Sequence, residues 1–489
     1  MPKEMLLLPI VLPILSGLAL FIIRPKTYNG RRNYVMTMVT LNSVITFILL
    51  FSDLRESLQL LQITDDVNLV LKIDGLSTIF AGLVSFMWPL ASMYAFDYMK
   101  HEKNLDMFFA FYTITYGVVV GIAFAGNALT LYLFYEFLTL VTTPLVLHTQ
   151  KREAVVAARK YLTYSITGAA IGFISIVFVL VYGNGSGFVF GGILDSSALV
   201  GYGDNILLTT YVLAFIGFGV KAAIFPFHGW LPSASVAPTP VTALLHAVAV
   251  VKAGVFVIMR MTFYVYDIDV LRGTWAQAVV LSLAFITVIY ASVMACKEQH
   301  FKRRLAYSTI SNLSYILLGV CLMTHLGFLA ALIHMLFHAI MKICGFFCAG
   351  AVMEYTDARY VNQLEGMGKK MPFIFTCFAI TSLSLMGTPL MVGFISKYYL
   401  ITAAINLGGV LGYMMIAALF TSAVLVAVYM VFIVVRAFFP RENVEIMEAK
   451  TPGLWMRIPI GIFAAMIVVL GVNSQFLVDY LTKVATGLI

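Results

Sequence analysis

Charge is what this sequence has least of. Asp, Glu, Lys and Arg make up only 11% of its 489 residues, against 61% hydrophobic ones. So few charges cannot cover a water-facing surface, which excludes a soluble globular domain. Cysteine is scarce too. Cys296, Cys321, Cys344, Cys348 and Cys377 all lie in or at the ends of apolar runs. They read as small core residues, and no zinc, iron–sulfur or disulfide framework follows from them. Long polar linkers are absent, so one membrane domain is expected. There is no P-loop and no quinone or flavin motif. The glycine-rich stretch 183–187 reads as a flexible outer loop because no helix start follows it.

What is present is a succession of apolar runs long enough to cross about 30 Å of hydrocarbon. They are continuous rather than alternating, which excludes a β-barrel. The fold expected is an all-α polytopic membrane protein with about fourteen spans, near 5–23, 34–52, 75–99, 107–126, 128–148, 160–182, 206–225, 240–262, 273–296, 305–323, 327–352, 372–402, 409–438 and 457–482. The first run lacks a small-residue cleavage site and is followed by Arg24, Lys26, Arg31 and Arg32, so it reads as a span rather than a signal peptide. Alternate loops hold 21 of the Lys and Arg residues. The opposite loops hold six: Lys3, Arg55, Lys72, Arg260, Arg272 and Lys483. The positive-inside rule then places both termini outside a prokaryotic cell membrane. The net charge of +8 is a topology signal and implies no nucleic acid.

Two spans are interrupted. The seventh runs into Pro226, Pro232, Pro238 and Pro240, and the twelfth contains Gly387, Pro389 and Gly393. Proline removes an amide donor, and a broken helix survives in a membrane only where protein or internal water satisfies the freed backbone. Spans 4–8 and 9–13 each carry the break in their fourth member. That is the hydropathy pattern of two inverted five-helix repeats. The organisation expected is an N-terminal three-helix segment (1–100), a first repeat (101–264), a second repeat (265–440) and a C-terminal helix (441–489).

Four lysines, Lys221, Lys252, Lys342 and Lys397, lie inside apolar runs, and no Arg is read as joining them. Each costs about 2.5–3.5 kcal/mol at mid-membrane, so a use is expected, and moving charge is the use to test. Glu136 is buried in the same way, on a polar stripe with Tyr132, Thr139 and Thr143. A structural ion pair is its alternative reading. Lys221 stands one turn before the first break and Lys397 just after the second; for both, snorkelling to the interface is the bland reading. His246 and Lys252 share a span but are about 120° apart around it. His334, His338 and Lys342 repeat at every fourth position, which places three titratable groups on one stripe about 12 Å long. Histidine titrates near neutral pH, so the stripe suits reversible proton transfer. Two histidines could also hold a metal, but no third ligand is evident.

Several segments together resemble the antiporter-like subunits of respiratory complex I, Mrp-type cation/proton antiporters and membrane-bound hydrogenases. They are VKAAIFPFHGWLPSA (220–234), APTPVTALLH (237–246), VKAG (251–254), RLAYST (304–309), HMLFHAIMK (334–342) and IDGLS (73–77). The resemblance implies fourteen helices with inverted repeats and breaks in helices 7 and 12. It implies a Glu136–Lys221 ion pair, a bridge through His246 and Lys252, onward transfer by His334, His338 and Lys342, and Lys397 as the terminal lysine. Tyr135 stands where the family often has Trp, a change expected to matter little. No lateral helix of the largest complex I subunit is expected.

The function expected is proton translocation within a multisubunit complex. The chain itself would hold no cofactor, no metal and no redox site. Its partners would be other membrane subunits, the lipid bilayer and protons, with or without a peripheral redox arm and Na+. The alternatives are a Na+/H+ antiporter subunit without a redox arm, a stand-alone secondary transporter, and a scaffold whose lysines only pair helices.

Overall fold

The computed structural model describes residues 1–64, 67–183, 187–194, 203–442 and 446–489. The middle of the glycine-rich stretch, residues 184–186, lies outside them. The membrane helices run in chain order as α1 (Leu8–Ile23), α2 (Tyr28–Leu50), α3 (Gly75–Tyr98), α4 (Leu105–Phe124), α5 (Ala128–Val146), α6 (Arg152–Tyr182) and α7 (Gly203–Gly219). A short α8 (Trp230–Ala234) precedes the long α9 (Thr239–Val265). Then come α10 (Trp275–Lys297), α11 (Phe301–Cys321), α12 (His325–Thr356), α13 (Pro372–Met386), α14 (Val392–Leu407), α15 (Gly409–Phe438), α16 (Leu454–Val472) and α17 (Gln475–Ala485).

Among the described residues, eleven helices are long and apolar enough to cross a membrane. Three further segments expected to span fall short, for physical reasons. Helix α7 and the pair α13/α14 are cut short by the breaks. Helix α11 is long enough, but Lys302, Arg303, Arg304, Ser308, Thr309, Ser311, Asn312 and Ser314 keep it polar. The outer helices show leucine, isoleucine, valine and phenylalanine to the surroundings, such as Ile22, Phe173, Phe420 and Val469. Such an apolar exterior over a polar-speckled interior is that of a multi-pass membrane protein.

Helices α9 and α12 form the axis. Every residue of α9 as far as Val265 is buried, and so is nearly all of α12. Helix α12 packs against α11, α13, α14 and α16, so it touches most of the second half of the chain. Sequence reading expected no strands. The α2–α3 connection nevertheless folds into a small antiparallel hairpin, Leu58–Gln62 with Asn68–Leu71.

The expected assignment of Arg260 to an outer loop is corrected here. Arg260 is fully buried within α9. Its two terminal nitrogens bind both oxygens of Asp74 at 2.5 and 2.7 Å, and Nη2 also donates to Ser77 Oγ at 2.9 Å. Phe188, Phe256 and Tyr264 ring the guanidinium at 4.6–5.3 Å. A planar fork with an aromatic collar can hold its charge so deep only because the carboxylate meets it bidentately. Asp74 also caps α3 by accepting from Ser77 N at 2.8 Å. Burial opposes its ionisation, but the Arg260 charge and the hydrogen bonds from Arg260 and Ser77 outweigh that and hold the carboxyl below the usual range.

A group whose pKa is lowered by folding stabilises above its unfolded pKa and loses that contribution as pH falls through the folded one. Asp74→Asn should therefore cost about 3 kcal/mol at neutral pH, as breaking one side of a buried pair does. The gap to the parent protein should be constant above about pH 5 and close in stronger acid. Thermal unfolding of the detergent-solubilised protein across pH measures this; a gap that persists unchanged in acid would contradict it.

Candidate functional site

The eight residues expected to carry chemistry occupy a file that starts at the first break, crosses the α9–α12 axis and ends at the second break. Lys221, His334, Lys342 and Lys397 are held by backbone or hydroxyl groups, and Lys252 and His338 hold each other.

Helix α7 ends at Gly219, and the chain unwinds through Ala223, whose φ of 60° is left-handed, before Pro226. The freed groups find partners. Trp230 Nε1 donates to Val220 O at 2.8 Å, and Phe225 N donates to Thr287 Oγ1 at 3.0 Å. Lys221 sits on this unwound stretch, fully buried. Its ammonium donates to the Tyr135 carbonyl and lies 3.3 Å from the centre of the Tyr135 ring. Tyr135 is thus the residue that houses Lys221, through its carbonyl and its ring face. The Glu136–Lys221 pair implied by the resemblance is not closed: among the described residues the two form no ion pair. Glu136 is one residue, about 100°, farther round α5. It is half-buried next to exposed Phe137.

Gly254 lets α9 approach this break. A Cβ there would come within 2.6 Å of Ala222 N. Along α9, His246 lies in a π-helical turn, Leu244–Val248, closed by Ala249 N to Leu244 O at 2.9 Å. Its ring packs on Phe346 at 4.7 Å, and neither ring nitrogen finds a hydrogen-bond partner among the described residues. His246 and Lys252 point apart, as their spacing required. Lys252 crosses instead to α12, where its Nζ meets His338 Nδ1 at 2.8 Å.

The α12 stripe engages three different helices. His338 takes Lys252 on α9. His334 Nδ1 meets Ser396 Oγ on α14 at 2.9 Å. Lys342 donates to Ser308 Oγ on α11 at 2.5 Å, and Tyr429 OH donates to the same oxygen at 3.0 Å. The two imidazoles stand 5.8 Å apart, and both Nε2 atoms lack a hydrogen-bond partner among the described residues.

Lys397 is held by the broken helix itself. Its ammonium donates to Leu385 O at 2.7 Å and Met386 O at 2.8 Å, the final carbonyls of α13. Those carbonyls have no intrahelical partner and sit at the negative end of the helix dipole, so a cation belongs there. The arrangement requires α13 and α14 to touch. Gly393 N donates to Ser384 Oγ at 3.1 Å.

Sequence reading missed several groups. Ser396 is adjacent to Lys397, and Ser308 lies in the RLAYST motif, so both were within reach. Lys302 and Arg304 looked like loop cations but are buried. Ser292, Ser311 and Ser422 bond one another at 2.7–3.0 Å from three helices, a cluster no linear pattern announces. No group of His, Cys, Asp and Glu suited to a metal occurs among the described residues.

The comparisons with known proteins agree with this architecture. The family described as NADH:quinone oxidoreductase/Mrp antiporter, TM, matches residues 125–425, a stretch that contains all eight site residues. A second, NADH-Ubiquinone oxidoreductase (complex I), chain 5 N-terminus, matches residues 61–109. The chain belongs to this complex I/Mrp antiporter superfamily of membrane subunits. It is 30% identical over 444 residues to the A1 component of a Na(+)/H(+) antiporter of Staphylococcus aureus, covering 86% of this chain and 54% of that protein. It is 31% identical over 421 residues to the A/B component of a probable K(+)/H(+) antiporter of Rhizobium meliloti, covering 83% of this chain and 40% of that protein. The chain thus spans about half the length, or less, of these curated relatives. Its fold is similar to a chain of the membrane-bound sulfane sulfur reductase, an archaeal respiratory membrane complex, with TM-score 0.83, 22% identity and 98% and 96% of the two chains covered. A chain of the Mrp complex from Dietzia sp. DQ12-45-1b gives TM-score 0.82 at 19% identity, with 99% and 97% covered.

The second break yields a direct prediction. A Cβ on Gly393 would sit 1.7 Å from Ser384 O, so the half-helices would have to part. Gly393→Ala should destabilise the protein by about 1–3 kcal/mol, the usual cost of overpacking. Gly82→Ala, which meets Leu50 Cδ1 at an ordinary 3.6 Å, should not. Thermal unfolding of the two variants side by side decides it.

Proposed function

We propose that this chain is a proton-translocating, antiporter-like subunit of a multisubunit membrane complex. The observation that carries the reading is the file of buried, carboxylate-free lysines and histidines, joined across the α9–α12 axis by Lys252 and His338 at 2.8 Å. A buried lysine can exist neutral and release a proton, whereas an arginine cannot. The bare nitrogens of His246, His334 and His338 are buried polar atoms, and internal water is the ordinary partner for such atoms. Water between them would complete a proton wire.

In this reading Lys221 starts the file. Glu136 is the movable countercharge: closing onto Lys221 favours the ammonium, and opening favours release. His246 and Lys252 pass the proton to His338 and His334, Lys342 adjusts the local charge, and Lys397 terminates the file at the α13 carbonyls. Moving one charge against 100 mV takes about 2.3 kcal/mol, within reach of one buried ion pair made or broken. The eleven apolar helices together with α7, α11 and the α13/α14 pair make up fourteen spans. They are arranged as a three-helix segment (1–100), inverted repeats (101–264 and 265–440) and a C-terminal helix (441–489), with both termini outside the cell. The partners are other membrane subunits, and the energy source is a peripheral redox arm.

A second reading, a Na+/H+ antiporter subunit with no redox arm, is favoured by the similarity to the Staphylococcus aureus Na(+)/H(+) antiporter component. Purification through a tag on this chain separates the two. Iron–sulfur or nickel–iron subunits would indicate redox drive, small membrane subunits alone would indicate gradient drive, and the chain by itself would count against both.

Lys252→Arg and Lys397→Ala should each lower proton translocation by about tenfold or more, at least 1.4 kcal/mol in barrier, while the complex still assembles. Translocation by the purified complex in liposomes, with a pH-sensitive dye inside, reads this out. Parental rates in both variants would refute the file as the proton path.

A further inference from the structure

A fifth lysine completes the route to water. Lys302 opens α11 and is buried, although it was counted among the loop cations. Its ammonium makes one hydrogen bond among the described residues, to Ala237 O at 2.8 Å, and no ion pair. Two of its three protons are thus without a protein partner, and no carboxylate compensates the charge. A buried ammonium in that condition is costly unless it can shed a proton. Its surroundings are cationic as well. At the neighbouring α11 cap, burial and the Lys302 and Arg303 charges push the His300 imidazole down to about 4.

Two further observations give Lys302 a direction. Ala237 is the last residue but one before α9, and His246 lies two turns along that helix with both nitrogens bare. On the other side, a cavity of about 600 Å³ opens to the surface between α6, the first break and the α10–α11 corner. Glu153, Lys160, Ser233, Val236, Glu298 and Arg303 line it. Val236 and Arg303, which line it, are the direct chain neighbours of Ala237 and Lys302.

We propose that this cavity is a water-filled vestibule and that Lys302 is the proton-exchanging group at its inner end, feeding His246. The inference rests on the proton-translocating reading of the file. The Lys302 ammonium gives one N–H proton to internal water facing His246. The neutral amine then takes a proton from vestibule water, so nothing but a proton is consumed. Glu153 and Glu298 at the mouth offset the cations there and give hydronium or its equivalent a place to gather. Lys151, Arg152, Lys297 and Arg303 stand at the α5–α6 and α10–α11 corners beside the vestibule, on the side that the positive-inside rule makes cytoplasmic.

The test compares Lys302→Arg with Lys302→Gln in the assembled complex, reconstituted in liposomes. Arginine keeps the charge and the donor to Ala237 O but does not release a proton. If Lys302 exchanges protons, both variants lose about tenfold or more of the rate. If it only ties α11 to the break, Lys302→Arg keeps the parental rate and the proposal falls. A Lys302→Arg variant that transports while Lys397→Ala does not would remove the vestibule lysine and leave the file intact. Loss of neither would remove both readings. Should the Lys302 variants fail to assemble, Val236→Cys gives an independent measurement. A water-soluble methanethiosulfonate added from the cytoplasmic side should label it and block translocation. Absence of labelling, or labelling without block, would overturn the proposal.

Discussion

An ammonium group taken out of water must hand each of its protons to something, and in a membrane interior the choices are few. Most soluble proteins would supply a carboxylate. Here the buried lysines are given carbonyls, hydroxyls and imidazoles instead: Tyr135 O for Lys221, Ser308 Oγ for Lys342, His338 Nδ1 for Lys252, and two helix-terminal carbonyls for Lys397. These partners accept a hydrogen bond without fixing the charge. The lysine can therefore lose its proton without leaving a bare carboxylate behind, which would be as costly as the bare ammonium. The bidentate ion pair of Arg260 with Asp74 uses the cation that cannot deprotonate, and it lies off the file.

The breaks follow from the same need. A continuous helix spends its carbonyls on itself. Ending α13 at Met386 releases carbonyls at mid-depth, and Lys397 takes two of them. The glycines make this geometry possible. Gly393 allows the second half-helix to lie against Ser384, and Gly254 brings α9 down onto the unwound segment that carries Lys221. Packing, backbone satisfaction and the placing of charge are here one problem with one solution. This is why the breaks coincide with the lysines.

Much of this was legible in the sequence. Apolar length announced the helices, proline and glycine announced the breaks, and the four-residue spacing of His334, His338 and Lys342 announced a polar stripe. What was not legible was which neighbour each stripe residue would meet, since partners such as Ser396 and Ser308 arrive from helices far along the chain. Arg260 and Lys302 were misjudged for a related reason. A cation near the end of an apolar run looks like a loop residue when only its own segment is considered, yet Arg260 is drawn in by Asp74, 186 positions away. The hydrogen bond from Lys221 to Tyr135 goes to a backbone carbonyl, which no comparison of side chains reveals. The polar face of α11 keeps it out of the set of helices apolar enough to span, although its run 305–323 was read as a span from the sequence.

The five-residue turn around His246 has a consequence of its own. A π turn holds one residue more than an α turn, so the two parts of α9 are out of step by one position. Exchanging a single hydrogen bond at either edge would slide that extra residue along the helix. Residues swept past would rotate by roughly 100° while both ends of α9 stayed anchored, at Pro238 and at the Arg260 clamp. An imidazole mounted on such a turn can face two directions in succession without any helix moving as a body, as a gate between an inlet and an outlet has to do.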